Sequence, residues 1–310
     1  MLKKKYIAPA ISCMLVIIST NTLAAATNQV VDNIKNQISD TLAKQANDLI
    51  RNLEESILQN TDFTHIEINV GQDTFNLSSN KTKNKVELTS VYRLHEDDNK
   101  FIFNQASLVD FNDRKTLNLG LGIRHINDDE TIIYGANIFY DYERDSKHKR
   151  SGIGAEYITS LGEIRVNKYK AISGTLAYKG VNEEALDGHD IRLSYNLPVL
   201  YSSSLFYNEG SWKDGKSYKT DTKEWGVKGE LLPNLHLSVS SQKKDNTNKT
   251  TVSSLSYAIP FGKNASQKIM QNGEFTSKLK NIRSALYKPV KRENRIMKKS
   301  ISLGVVASGY

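Results

Sequence analysis

Residues 118–145 read NLGLGIRHINDDETIIYGANIFYDYERD, and their period decides the fold. Leu117, Leu119, Leu121 and Ile123 fall on one parity, while Asn118, Gly120, Gly122 and Arg124 fall on the other. Beyond Asn127, Asp128, Asp129 and Glu130 the split resumes. Ile132, Tyr134, Ala136, Ile138, Tyr140 and Tyr142 alternate with a set that includes Gly135, Asn137 and Asp141. A period of two belongs to a strand, whose successive side chains point to opposite faces. One face here is large and apolar, the other small or charged, which suits a strand with lipid outside and a polar lumen inside. NDDE is then the turn between two such strands, and its acids are solvated turn formers.

Working outward, the period of two extends from His65 to Phe261. It places twelve strands near 65–77, 85–94, 100–110, 115–126, 131–142, 150–158, 163–178, 189–196, 201–209, 222–230, 235–242 and 250–261. The expected fold is an all-β, twelve-stranded antiparallel transmembrane barrel over 61–262, even-numbered as bacterial outer-membrane barrels are. A soluble antiparallel sandwich also alternates, and two features weigh against it. Connections after odd strands, such as ERDSKHKR, KGVNEEALDG and GSWKDGKSYKTD, read longer than EDDN, NDDE and TSLG after even ones. Outward aromatics group toward the strand ends: Tyr142, Tyr178, Tyr207 and Trp225 at the outer interface, Tyr134, Tyr157, Tyr195 and Tyr257 at the inner one. Interfacial rings place an apolar body and a polar tip in their own solvents.

The flanks fit export. Lys3–Lys5, an apolar run from Ile7 to Ile18 and the small residues Ala24, Ala25 and Ala26 read as a signal peptide over 1–26, with cleavage at those alanines. The run is shorter than the roughly 18 residues of a spanning helix. The single cysteine, Cys13, lies within the signal, so the mature chain is expected to carry neither disulfide nor cysteine metal site. Over 27–60, Val30, Ile34, Ile38, Leu42, Leu49, Leu53 and Ile57 recur at helical steps, predicting a periplasmic amphipathic helix. The net charge of +8 is concentrated in the tail, where the Lys and Arg of 278–299 face only Glu293 among the acids. An exported chain without a recognition motif does not read as a nucleic-acid binder.

Within the barrel phase, Arg124, Asp141, Glu156, Asp190, Arg192, Glu224, Lys228 and Glu230 fall on the inward face. No Ser-His-Asp, zinc or phosphate-loop arrangement stands out, and HEDDNK and INDDET lack the glycine and terminal glutamate of a calcium loop. The reading is a non-enzyme with no cofactor and no metal. After the barrel, Phe275, Leu279, Ile282 and Leu286 have helical spacing, stopped by Pro289 and followed by the extended basic YKPVKRENRI.

The block TLNLGLGIRHINDDETIIYGANIFYDYERDSKHKRSGIGAEY, the later LDGHDIRLSYNLPV and VKRENRI together resemble the membrane domain of the intimin and invasin group, the inverse autotransporters. The resemblance covers about residues 60–300. It implies a barrel whose own C-terminal linker leaves through the pore and displays adhesive domains. Residues 275–286 would then form a plug helix at the periplasmic mouth within a 263–300 plug and linker region, and 301–310 a short tail. Lys288, Lys291, Arg292, Glu293 and Arg295 would lie in the pore. An even strand count leaves both barrel ends in the periplasm, so a surface-exposed C-terminus must cross the lumen. The chain ends at Tyr310, soon after VKRENRI, so the expectation is a translocator with a minimal passenger, in which adhesion is in question. Implied partners are outer-membrane lipid and lipopolysaccharide, the general secretion and barrel-assembly machineries, and an unidentified host surface ligand. The alternative is a porin-like channel with an internal plug, or a remnant without a passenger.

Overall fold

A computed structural model describes residues 62–74, 83–197, 203–232, 234–245, 247–260 and 279–301. The signal cleavage site at Ala24–Ala26, the helix over 27–60, the first residues of the plug region and the tail after Ile301 lie outside the described residues.

The barrel strands are β1 (Phe63–Asp73), β2 (Lys83–Glu96), β3 (Lys100–Phe111), β4 (Arg114–Ile126), β5 (Ile132–Glu143), β6 (Lys149–Thr159) and β7 (Gly162–Ala171). A hairpin of β8 (Thr175–Tyr178) and β9 (Val181–Ala185) follows. The barrel then resumes with β10 (Asp187–Asn196), β11 (Ser204–Lys213), β12 (Lys219–Leu232), β13 (Leu235–Lys244) and β14 (Thr250–Pro260). These twelve barrel strands are antiparallel and closed, with β7 pairing β10 across the hairpin and β1 meeting β14, Ile68 opposite Tyr257. A last strand, β15 (Lys298–Ile301), pairs with β9, giving a separate sheet in the order β15-β9-β8.

Burial is inside out relative to a soluble protein. Ile138 and Ile153 are 57% and 60% exposed on the outer wall, whereas Arg124, Asp141 and Arg150 are 0% exposed within. Such a distribution excludes a soluble sandwich, which buries its apolar face. Turn chemistry fixes the register locally. Asn112 and Asp113 both have positive φ (54° and 60°), the two-residue turn geometry that matches strand twist. Asn127 Oδ1 accepts from the backbone N–H groups of Thr131 and Ile132, closing the NDDE turn.

Three expectations need correction. The strand read as 163–178 ends at Ala171, and Thr175–Tyr178 turns away into the hairpin, closed by Lys179 and Gly180 at positive φ (49° and 78°). Tyr178 therefore belongs to no girdle; its ring lies 4.1 Å beneath the Arg114 guanidinium. GSWKDGKSYKTD is mostly strand, with only 214–218 as its turn, so the difference in connection length is smaller than the sequence suggested. Finally, residues 279–282 are not helical, and the plug's helical content among the described residues is one 3-10 turn, Arg283–Tyr287.

Candidate functional site

The inward residues form layers along the barrel, and residues 280–299 run through them from one mouth to the other. At the mouth carrying the turns 97–99, 127–131 and 160–161, Lys280 N–H donates to Ser160 Oγ (2.9 Å) and Ile282 N–H to the Glu130 carbonyl (2.8 Å). Arg283 reaches Glu130 at 2.7 Å and the Asp98 carbonyl at 2.8 Å. The Arg283 and Asn281 side chains hold the Glu130 carboxyl below the usual carboxylate range. Just inside, an apolar collar that includes Val91, Phe101, Phe103, Ile126 and Ile133 receives Ile282, Leu286 and Val290. The 3-10 turn is thus seated by apolar burial, at roughly 1.5–3 kcal/mol per fully buried large side chain.

The charged layer lies deeper. Arg124 bonds Glu156 on the wall (2.8 Å) and donates to the carbonyls of Leu286 (2.7 Å) and Lys288 (2.5 Å). Gln105 holds the Val290 peptide on both sides, accepting from its N–H at 2.7 Å and donating to its carbonyl at 3.3 Å. Next comes a buried triad. Arg292 forks onto both Asp141 oxygens at 2.8 Å, and Arg150 Nε donates to the same carboxylate at 2.7 Å. Asn118 donates to Asp141 and to the Asn294 carbonyl, each at 2.8 Å. The Arg292 guanidinium lies 4.2 Å over Phe139. Farther along, Arg295 pairs with Glu293 (2.8 Å) and Asp73 (3.1 Å), and Asn294 bonds Glu87.

At the opposite mouth, Lys298 engages Glu143, and Lys299 engages Asp214 and Glu184. Arg114 ties the hairpin down through a forked pair with Glu183 (2.6 and 2.7 Å). Tyr169, Leu186, Trp212 and Met297 pack together there, and the Leu186 N–H donates to the Met297 carbonyl at 2.9 Å. Gly188 permits this packing, because a Cβ there would stand 2.3 Å from the Trp212 ring.

The sequence-derived lumen residues divide into two groups. Arg124 and Asp141 touch the linker, and Asp190 does so through the Glu293 N–H at 3.3 Å and through Tyr169. Glu156 serves Arg124 and Arg165 within the wall. Arg192 pairs with Asp190, and Glu224 accepts from Ser240 and Gln242; Arg192 and Glu224 both line the space beside the linker. Lys228 and Glu230 line a cavity of about 660 Å³ left beside the linker. Among the linker residues, Lys288 and Lys291 both line this cavity, and Lys291 is half exposed and bonds Glu163. Sequence reasoning put Asn118 on the inward face without giving it a role, and missed Arg150, Gln105, Glu143 and Asp214. The alternation phase alone could have found Arg150, which shares parity with Gly152, Gly154 and Glu156.

Of the girdle residues, Tyr134 and Tyr157 face out as a tilted pair, 5.5 Å between centroids, near the mouth where the linker enters; Tyr195 and Tyr257 lie toward the same ends of β10 and β14. Tyr142 lies near the far end of β5. Tyr207 and Trp225, expected at the outer interface, are instead cross-strand partners at mid-strand, and Lys249 from the adjoining turn reaches within 5.9 Å of the Trp225 ring.

A pH response follows from His148, in the turn before β6. Burial and the Lys298 ammonium push its imidazole down to about 4; Glu143 and Glu183 oppose the shift and Arg114 adds to it. A folded value below that of a free histidine means full stability above pH ~6.5, lost as pH falls toward 4. Asp214, held low by Lys299, stays ionised through that window. Amide protection factors of Lys298–Ile301 should therefore fall between pH 7 and 4.5 and remain level in His148→Gln. A flat profile in the unmodified protein would refute this.

Comparison with known proteins places these features. The family model for the inverse autotransporter β-domain matches residues 17–294. The chain is 28% identical over 149 residues to a putative attaching and effacing protein homolog of Escherichia coli K12, covering 46% of this chain and 48% of that protein. It is 31% identical over 101 residues to invasin of Yersinia enterocolitica, covering 32% of this chain and 12% of invasin. It thus spans about half or less of the length of these relatives. A solved structure from work on the in-meso crystallization of membrane proteins superposes with a TM-score of 0.63 at 18% identity, over 77% of this chain and all of that one, and supports the fold. With its closed twelve-stranded barrel and apolar outer wall, the chain belongs to the inverse autotransporters of the Gram-negative outer membrane, a family of translocators and adhesins.

Proposed function

We propose that this barrel exports and anchors its own C-terminal segment. The mouth holding both barrel ends faces the periplasm, and the segment after Met297 emerges at the cell surface. One observation carries the reading: residues 280–299 are bonded to the wall from Ser160 and Glu130 at one mouth to Glu143, Glu184 and Asp214 at the other. The even strand number supports the orientation, because it brings Phe63 and Pro260 to the same mouth. In this reading the general secretion pathway delivers the chain, the barrel-assembly machinery inserts it, and the displayed end, with the far-mouth loops, contacts a host surface. A small epitope tag after Tyr310 should bind antibody on intact cells. Labelling only after permeabilisation would overturn the export reading.

The cavity beside the linker favours a second reading, a plugged channel. Its wall carries small polar side chains, among them Ser238, Ser254, Ser256 and Asn208, and it opens a polar space beside the seated chain. The two readings differ in whether ions pass while the linker is seated.

A further inference from the structure

The outward face of the barrel is uneven in its charge. On β4 and β12, near the far mouth, outward lysines have acid partners: Lys115 with Asp110, Lys219 with Asp221 and Lys223 with Glu209. On β6 and β7 they do not balance. Lys149 and Lys168 are exposed and make no side-chain bond among the described residues, while Lys170 shares Asp187 and keeps most of its surface open. Strand register makes these neighbours. Lys170 stands opposite Ser151 on β6, and Lys168 opposite Ile153 on β6 and His189 on β10. Directly toward mid-membrane lies an apolar strip of Ile138, Ile153, Val166 and Ile191, 42–60% exposed.

A lysine on the lipid face is costly at mid-bilayer and nearly free at the interface, so this cluster marks a headgroup level. Stems of that length can lie along apolar surface while their ammonium groups reach toward phosphate. We infer that the sector β5–β6–β7–β10 is a binding site for a phosphorylated, multiply acylated glycolipid of the outer leaflet, its phosphates on Lys149, Lys168 and Lys170 and its acyl chains along the isoleucine strip. Charge complementarity selects an anionic headgroup. The far mouth being the cell-surface side selects the glycolipid over a glycerophospholipid, so the inference rests on the orientation proposed above.

The test is native mass spectrometry of the intact purified barrel titrated with diphosphoryl lipid A, dephosphorylated lipid A and phosphatidylglycerol. Lys149→Gln/Lys168→Gln/Lys170→Gln should weaken diphosphoryl lipid A binding roughly a hundredfold, from about fivefold per lysine. Lys115→Gln/Lys223→Gln should leave it unchanged, and dephosphorylated lipid A should not distinguish the variants. Should the triple variant fail to fold, Lys168→Gln alone should still give about fivefold. Undiminished binding by the folded triple or single variant would overturn the site. Preference of the unmodified protein for phosphatidylglycerol over lipid A would overturn the glycolipid assignment. Surface labelling of the C-terminal tag alongside either result would leave the export reading standing, so the two failures separate.

Discussion

Asp141→Ala should loosen the linker and raise the conductance of the barrel in a planar bilayer. Asp141 is the common acceptor for Arg150 from the wall and Arg292 from the linker, and all three side chains are buried. Removing the carboxylate leaves two guanidinium groups facing each other without solvent. Breaking a buried pair from one side costs about 3–5 kcal/mol. The same substitution takes away the acceptor that Asn118 uses while it holds the Asn294 carbonyl. Lys291→Ala is the contrasting case: its pair with Glu163 is half exposed, and such pairs contribute about 0–1 kcal/mol. The expected result is frequent large open events for Asp141→Ala and near-normal traces for Lys291→Ala. Equal, closed traces for both would show that the apolar collar and the far-mouth contacts hold the linker alone.

Gly120→Val and Gly122→Val, both within the first stretch quoted, should each impair barrel assembly. A Cβ at Gly120 would lie 2.3 Å from the Phe139 ring, and one at Gly122 would lie 2.2 Å from Phe103. Neither ring has room to retreat, because Phe139 supports Arg292 and Phe103 supports Arg124 in the occupied lumen. Overpacking a filled interior costs about 1–3 kcal/mol and sometimes more. Here it would also disturb the charged layer. The readout is heat-modifiable migration on a gel, with the compact species reduced or absent. Gly174, where a Cβ would meet nothing within 4 Å, is the control, and Gly174→Ala should migrate as the unmodified protein does. Full assembly of both valine variants would mean the rings can move.

The barrel was legible because its signal is local and repeated. Leu117–Ile123 and Ile132–Tyr142 each declare a face without reference to any other strand. The hairpin was not legible, since TLAY continues the apolar and polar alternation of β7, and only the Lys179-Gly180 turn distinguishes it. Site residues divide along the same line. An inward charge such as Asp141 is conspicuous in a strand, whereas Gln105 and Asn118 are ordinary polar residues until the Val290 and Asn294 peptide groups arrive. Glu143 and Asp214 sit at a strand end and in a turn, where acids are expected for solubility, and their partners lie 155 and 85 residues away. Long-range pairing of that kind leaves no periodic trace.

The three-stranded sheet at the far mouth bears on mechanics. β15 lies antiparallel to β9, with Lys298 opposite Ala185 and Ile301 opposite Asn182, and β9 is clamped to the barrel by Arg114 and Glu183. A pull on Ile301 along the strand axis would load the β15–β9 hydrogen bonds together in shear instead of opening them one after another. The force then passes into the wall through Glu143 and Asp214 before it reaches Asp141. If the C-terminus is displayed as proposed above, the sheet would take up strain before the segment threaded below it does.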